Sequence, residues 1–167
     1  MRLQPPSMTT QDLSRRERLA PGAPVGVTEA MCRDLVDEFY ARVRADPVLG
    51  PIFNGAIGDR WDSHLAKLTD FWSSVMLMTG RFKGSPMAVH AALPRAEPDD
   101  FQRWLAMFRQ TALDVCPPDA AALFCAKAEM IAQSLQLGIA ASRGVLPPRH
   151  PRPPAVDTSS QVTPGTL

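Results

Sequence analysis

The sequence lacks the features that mark secreted, membrane-spanning or zinc-stabilised proteins. It has three cysteines among 167 residues, an odd number with no CxxC or CxxCH spacing. We therefore interpret Cys32, Cys116 and Cys125 as small buried residues of a protein in a reducing compartment. No apolar run reaches membrane-spanning length and no apolar signal core follows Met1. The expectation is a cytoplasmic protein with no membrane partner.

The sequence also lacks an excess of either charge. Lys and Arg total 18 and Asp and Glu total 17, with no basic stripe interleaved with aromatic residues. This balance excludes a field strong enough to recruit nucleic acid. Hydrophobic residues make up 45% of the chain, which is ordinary for a globular protein, and the length suits one domain.

Both ends of the chain differ in composition from its centre. Prolines and a charge run interrupt residues 1–27, which we expect to form a flexible N-terminal extension that allows one short helix over Thr10–Leu19. Six prolines and several Ser/Thr clusters follow residue 142, so residues 142–167 are predicted to be a disordered tail. The folded domain is predicted over residues 28–141.

Within this domain, apolar residues recur at helical spacing in four segments, and no segment alternates with a period of two. The fold class is therefore predicted to be all-α. The first helix is expected to start after the N-cap Thr28 and to end near Asp46, before Pro47. Residues 49–53 are predicted to be a turn-rich connector. The second helix is expected to run from about residue 60 to Thr79, and the third and fourth are expected to begin near residues 98 and 117.

One short segment stands apart from these long helices. Gly84 and Pro86 bracket its start and Pro94 limits its end, so His90 is predicted to lie on about one helical turn. A histidine held in this way suits a metal-facing ligand, although a histidine packed into a core is the commoner case. The domain has only one other histidine, which is too few for a closed zinc site without cysteine ligands.

Three polar-tipped side chains fall on the apolar faces of three different helices: Tyr40, His64 and Trp104. Burying such a group without a partner costs about 1–3 kcal/mol. Their convergence indicates a shared object that needs hydrogen-bond donors, such as a ligand bound to a metal. The alternative is that each buries its ring while its polar tip reaches water or a backbone carbonyl.

An ordered set of motifs resembles the truncated haemoglobins, most closely their third group. The set consists of Phe39-Tyr40, Asp46-Pro47, Leu49-Gly50-Pro51-Ile52-Phe53-Asn54, Trp61-x-x-His64-Leu65, Phe71-Trp72, Phe82-Lys83-Gly84-x-Pro86-x-x-x-His90 and Phe101-x-x-Trp104-Leu105-x-x-Phe108. The match covers about residues 28–140 in a single register. It implies a truncated globin, a two-over-two helical sandwich around haem b.

The resemblance also implies roles for individual residues. His90 would be the proximal ligand of the haem iron, with Tyr40, His64 and Trp104 forming the distal pocket. The implied haem-contacting residues are Phe53, Leu68, Phe71, Trp72 and Phe82. Because many relatives have tyrosine where this chain has Phe82, a hydroxyl contact to a haem propionate is not expected there. Arg81, Lys83 and Lys67 are the alternative propionate partners.

Three functions are compatible with these features. The leading one is a haem protein for diatomic gases (O2, NO or CO), including oxygen transport. The second is a haem enzyme, either a nitric oxide dioxygenase or a peroxidase-like protein, which would use a redox partner. The third is a cofactor-free helical module that binds partners through its tails.

Overall fold

The computed structural model describes residues 9–84, 97–142 and 144. This part of the chain contains six α-helices and no strand, which confirms the all-α prediction. The helices are α1 (Thr10–Leu19), α2 (Glu29–Ala45), α3 (Leu49–Ile57), α4 (Trp61–Leu77), α5 (Pro98–Val115) and α6 (Pro118–Ser142). None of these described helices is long and apolar enough to cross a membrane.

Two pairs of helices form the body of the fold. Helix α2 packs against α4, α5 packs against α6, and α2 also crosses α5 so that the two pairs lie on one another. Fully buried apolar side chains fill the space between the pairs, the largest of them being Phe39, Phe108, Phe124, Leu35 and Met76. This arrangement is the expected two-over-two sandwich.

Most helix ends follow the capping signals in the sequence. The Thr28 hydroxyl accepts a hydrogen bond from the Met31 N–H at 3.1 Å, and α2 ends at Ala45 as expected. Helix α5 begins at Pro98, where a proline needs no intrahelical partner for its nitrogen. Helix α4 ends two residues before the expected Thr79, because Met78 adopts a left-handed backbone with φ 56°.

The connector predicted over residues 49–53 is wrong, since these residues form the first turns of α3. Pro51 falls in the first turn of that helix, where backbone N–H groups have no intrahelical acceptor, so a proline is tolerated there. The Asp46 carboxylate accepts hydrogen bonds from the N–H groups of Val48 and Leu49, at 2.9 and 2.8 Å. Asp46 therefore helps to start a helix where glycine and proline indicated a turn.

The segment before α2 contacts the end of α4. The N–H of Gly22 donates to the carbonyl of Met76 at 2.8 Å, and Ala20 and Val27 are buried. The domain boundary predicted at residue 27 stays a prediction. Residues 1–8 of the predicted extension lie outside the described residues, and so does the predicted tail apart from residues 142 and 144.

Candidate functional site

Tyr40 lies at the centre of an aromatic cluster built by α2, α3 and α4. Its side chain is 4% exposed, and its ring centroid is 6.2 Å from that of Phe53 and 6.0 Å from those of Trp61 and His64. Phe53 comes from α3, and Trp61 and His64 come from α4. The close approach of these helices therefore brings together side chains that sequence spacing alone left apart.

Trp104 approaches the same cluster from α5. Its ring packs edge-on against Phe39 at 5.2 Å and stacks on Phe108 at 5.5 Å. Its indole N–H neighbours the Tyr40 hydroxyl and acts on it as a hydrogen-bonding group that lowers the Tyr40 pKa. Because an indole N–H is a donor only, Trp104 is the donor side of this interaction and the Tyr40 oxygen is the acceptor side.

These surroundings keep the Tyr40 hydroxyl protonated. Burial raises its pKa well above the usual value near 10, and the hydrogen bond from Trp104 opposes that rise only in part. The phenol oxygen is thus an acceptor toward Trp104 and retains its own hydrogen for another acceptor.

His64 completes the cluster on α4. Its half-buried ring meets Tyr40 edge-on, with 88° between the ring planes, and meets Trp61 at 85° and 5.9 Å. The structure thus places His64 and Trp104 each beside Tyr40. Their roles toward a ligand stay predictions.

Below His64, α4 presents an apolar face that is only half-buried. Leu68, Phe71 and Val75 follow His64 at spacings of four, three and four residues, which places all of them on one side of the helix. Phe82 packs edge-on against Phe71 at 5.2 Å, held by its backbone N–H donating to the Ser74 hydroxyl.

Trp72 occupies a different environment from Phe71. It is 4% exposed, stacks on Phe108 at 5.3 Å and contacts Phe124 at 5.4 Å. Among the described residues, these contacts place its ring in the core between α4, α5 and α6. Its predicted contact with haem stays a prediction, and the buried contacts give Trp72 a packing role.

Of the three cations predicted as propionate partners, Arg81 is engaged elsewhere. Its guanidinium pairs with the carboxylate of Glu29, lies 3.6 Å from that of Asp70 and donates to the Ser73 hydroxyl at 3.3 Å. These bonds tie the chain after α4 to the start of α2. Lys67 and Lys83 are exposed.

Trp61 is the neighbour of Tyr40 that sequence reasoning did not assign to the site. Its indole N–H donates to the Asn54 side-chain oxygen at 3.1 Å, and the Arg44 guanidinium lies 4.7 Å from its ring centroid. The usable signal was spacing, because Trp61 is three residues before His64 and Arg44 is four residues after Tyr40. Neither spacing reveals the third partner, Asn54.

The described residues fit a flat, apolar cofactor with a polar ligand on one side. Leu68 and Phe71 supply a half-buried apolar face, and the Tyr40 hydroxyl supplies a donor beside His64, which lies on the same helix as that face. One feature of the prediction, the proximal ligand His90, lies outside the described residues. Among the described residues no group of three or more His, Cys, Asp or Glu side chains is arranged to hold a metal ion.

Comparison with known proteins agrees with this geometry. No protein-family model matches the chain. The group 3 truncated hemoglobin ctb of Campylobacter jejuni is 36% identical to it over 105 residues, which are 61% of this chain and 83% of that protein. The crystal structure of group III truncated hemoglobin from Campylobacter jejuni superposes with a TM-score of 0.63 at 34% identity, covering 66% of this chain and 89% of that one.

Proposed function

This chain belongs to the group 3 truncated haemoglobins, and we propose from that premise that it binds haem b and, at the haem iron, a diatomic gas such as O2, NO or CO. The observation that carries the proposal is the ring pair of Tyr40 and His64, 6.0 Å apart, with Trp104 as a hydrogen-bonding neighbour of Tyr40 and a half-buried apolar face following His64 along α4. A polar pair of this kind, in an otherwise apolar cluster, suits a small polar ligand held against a hydrophobic cofactor.

In this proposal His90 would bind the haem iron, and Phe53, Leu68, Phe71, Trp72 and Phe82 would contact the haem. Haem iron, when bound, supplies an open coordination position for the gas. The half-buried state of Leu68 and Phe71 supports this placement, because a large apolar ring would complete their burial.

The distal residues are proposed to act through hydrogen bonds. Tyr40 is protonated at neutral pH, burial raises its pKa further, and its hydroxyl donates toward the bound gas. Trp104 orients that hydroxyl by occupying a lone pair on its oxygen. His64, with its ring edge-on to Tyr40, borders the same space and is proposed to contribute a further donor or to regulate entry.

Reconstitution with hemin tests the cofactor assignment. The full-length protein should take up one equivalent of haem and show a Soret band, whereas His90→Ala should fail to capture haem stoichiometrically. His150→Ala is the matched control, because His150 lies in the proline-rich C-terminal segment. A colourless wild-type protein would refute haem binding, and tight haem capture by His90→Ala through an imidazole would refute the choice of ligand.

Tyr40→Phe tests the distal donor. The variant keeps the ring and its contacts while removing a hydrogen bond worth about 1–3 kcal/mol, which corresponds to roughly 5- to 150-fold faster O2 dissociation. Stopped-flow measurement on the haem-loaded protein gives this rate. Dissociation of CO, which is less polar when bound, should change less and serves as the internal control. An unchanged O2 rate would remove Tyr40 from the proposed mechanism.

The donor pair also favours a second candidate, a haem enzyme with nitric oxide dioxygenase or peroxidase-like activity. A buried Tyr40 hydroxyl with Trp104 as its neighbour suits activation of an O–O bond as well as retention of O2. The autoxidation rate and multiple turnovers with a reductase would distinguish the enzyme from a carrier.

A further inference from the structure

Trp61 is held by three helices at the point where they meet. It is the first residue of α4 and is 5% exposed. Asn54 of α3 accepts its indole N–H at 3.1 Å, and Arg44 of α2 lies 4.7 Å from its ring centroid. A cation over an indole and a hydrogen bond at its edge together fix both the position and the rotation of the ring.

The fixed indole in turn packs against two residues of the proposed distal site. Its ring centroid is 6.0 Å from that of Tyr40 and 5.9 Å from that of His64, and the rings of Tyr40 and His64 are 6.0 Å apart. The three rings therefore form a nearly equilateral triangle. Movement of one ring requires movement of the other two, because aromatic pairs favour defined edge-on geometries.

Trp61 has no second hydrogen to offer to a ligand. Indole carries a single N–H donor, and that donor is used by Asn54. The contribution of Trp61 to ligand binding must therefore pass through its neighbours. Asn54 is exposed, and its side-chain oxygen accepts the indole N–H, so its contribution to ligand binding must also pass through Trp61.

We propose that Trp61, anchored by Asn54 and Arg44, is a positioning residue that holds Tyr40 and His64 in the orientation needed to contact a ligand. The inference rests on the proposed function, since it assigns Tyr40 the donor role. It adds a specificity-determining residue, Trp61, whose indole ring connects the exposed Asn54 to Tyr40 and His64.

The position of Tyr40 is measured independently of haem. Tyr40 is the only tyrosine in the chain, so tyrosinate absorbance reports this residue alone. In full-length Trp61→Phe, which keeps a ring but loses the N–H, and in Asn54→Ala, the phenol should ionise at a lower pH than in the wild type while circular dichroism still shows folded protein, because a loosened ring regains water. The groups facing Tyr40 are His64 on α4 and Trp104 on α5.

Ligand binding gives the second readout. On the haem-loaded variants we expect O2 dissociation to accelerate roughly 2- to 10-fold and the C–O stretch of the CO complex to split into more than one band, as Tyr40 takes up more than one orientation. The double variant, Trp61→Phe with Asn54→Ala, should release O2 at about the same rate as Trp61→Phe alone, because both changes break the same hydrogen bond. Gln133→Ala, which removes an exposed amide on α6, is the matched control.

The outcomes separate this inference from the proposed function. If folded Trp61→Phe and Asn54→Ala titrate as the wild type does, Trp61 does not position Tyr40 and the inference is wrong. If the phenol titration shifts but O2 dissociation and the C–O band do not, the link to the ligand is refuted. A wild-type protein that binds no haem would refute the proposed function, while the titration would still test the positioning of Tyr40. Should Trp61→Phe fold poorly, the surface change Asn54→Ala carries the test.

Discussion

Asp46 joins three elements of the structure, so its removal should lower the free energy of unfolding by more than is usual for a loop residue. Its side chain is 8% exposed. One oxygen accepts from the N–H groups of Val48 and Leu49, at the start of α3, and both oxygens accept from the Arg103 guanidinium of α5, at 2.9 to 3.1 Å. Asp46 therefore ties the end of α2 to the helix that carries Phe53 and to the helix that carries Trp104.

The size of the effect follows from these bonds. Loss of a capping side chain costs about 0.5–2 kcal/mol of the free energy of unfolding. The Arg103 side chain is 45% exposed, so solvent screening limits its ion pair with Asp46 to about 0.2–1 kcal/mol. Asp46→Ala should therefore destabilise the protein by about 1–3 kcal/mol. Asp46→Asn keeps an acceptor for the backbone N–H groups and should cost about as much as Arg103→Ala, which is less than 1 kcal/mol.

Urea unfolding of the full-length variants at pH 7, followed by circular dichroism, measures these differences. The pH dependence supplies a second check. Arg103 chiefly, and the Leu49 and Val48 N–H groups, lower the pKa of Asp46 to about 2. Since the folded-state pKa lies below the unfolded value near 3.9, the stabilisation is complete above that value and is lost as the pH falls through about 2. The gap between wild type and Asp46→Ala should close over this range.

Two results would refute this reasoning. Equal stability of Asp46→Ala and wild type at pH 7 would show that water replaces the carboxylate at the start of α3. A gap that stays constant from pH 7 to pH 2 would show that the carboxylate charge contributes nothing, and that any loss comes from packing.

The remaining predictions concern packing and thiol chemistry. Gly50→Ala should lower stability by about 1–3 kcal/mol, because its Cβ would lie 2.7 Å from the Arg44 carbonyl oxygen. On the same helix, a Cβ at Gly55 would have no atom within 4 Å, so Gly55→Ala should raise stability by about 0.5–1 kcal/mol. Equal effects of the two variants in urea unfolding would contradict the close crossing of α2 and α3. Burial raises the pKa of the Cys32 and Cys116 thiols to about 11. Both should therefore react with a thiol reagent at pH 8 roughly 100-fold more slowly than an exposed cysteine, and half-buried Cys125 should react first. Fast labelling of Cys32 in the folded protein would show that the core opens there.

The sequence by itself determined most of the helices and the family. Thr28 and Pro98 carry capping signals that act on adjacent residues, and apolar periodicity shows which face of each helix is buried. Both are local properties, so no tertiary contact is needed to interpret them. The motif order from Phe39-Tyr40 to Phe101-x-x-Trp104 indicated the truncated haemoglobins, and the comparisons confirmed that family.

Only the tertiary structure decided which side chains meet across helices. Periodicity places Trp61 and Trp72 on the same apolar face of α4, yet Trp61 packs beside Tyr40 and Trp72 stacks on Phe108 in the core. The helix formed by residues 49–57 likewise depends on Asp46, whose carboxylate Arg103 holds in place. These outcomes depend on how far one helix is rotated and shifted against another, and that is set by contacts between residues as far apart in sequence as Arg42 and Asp114, which are 72 positions apart. A helical repeat fixes the face of each helix but leaves its partner across the interface undetermined.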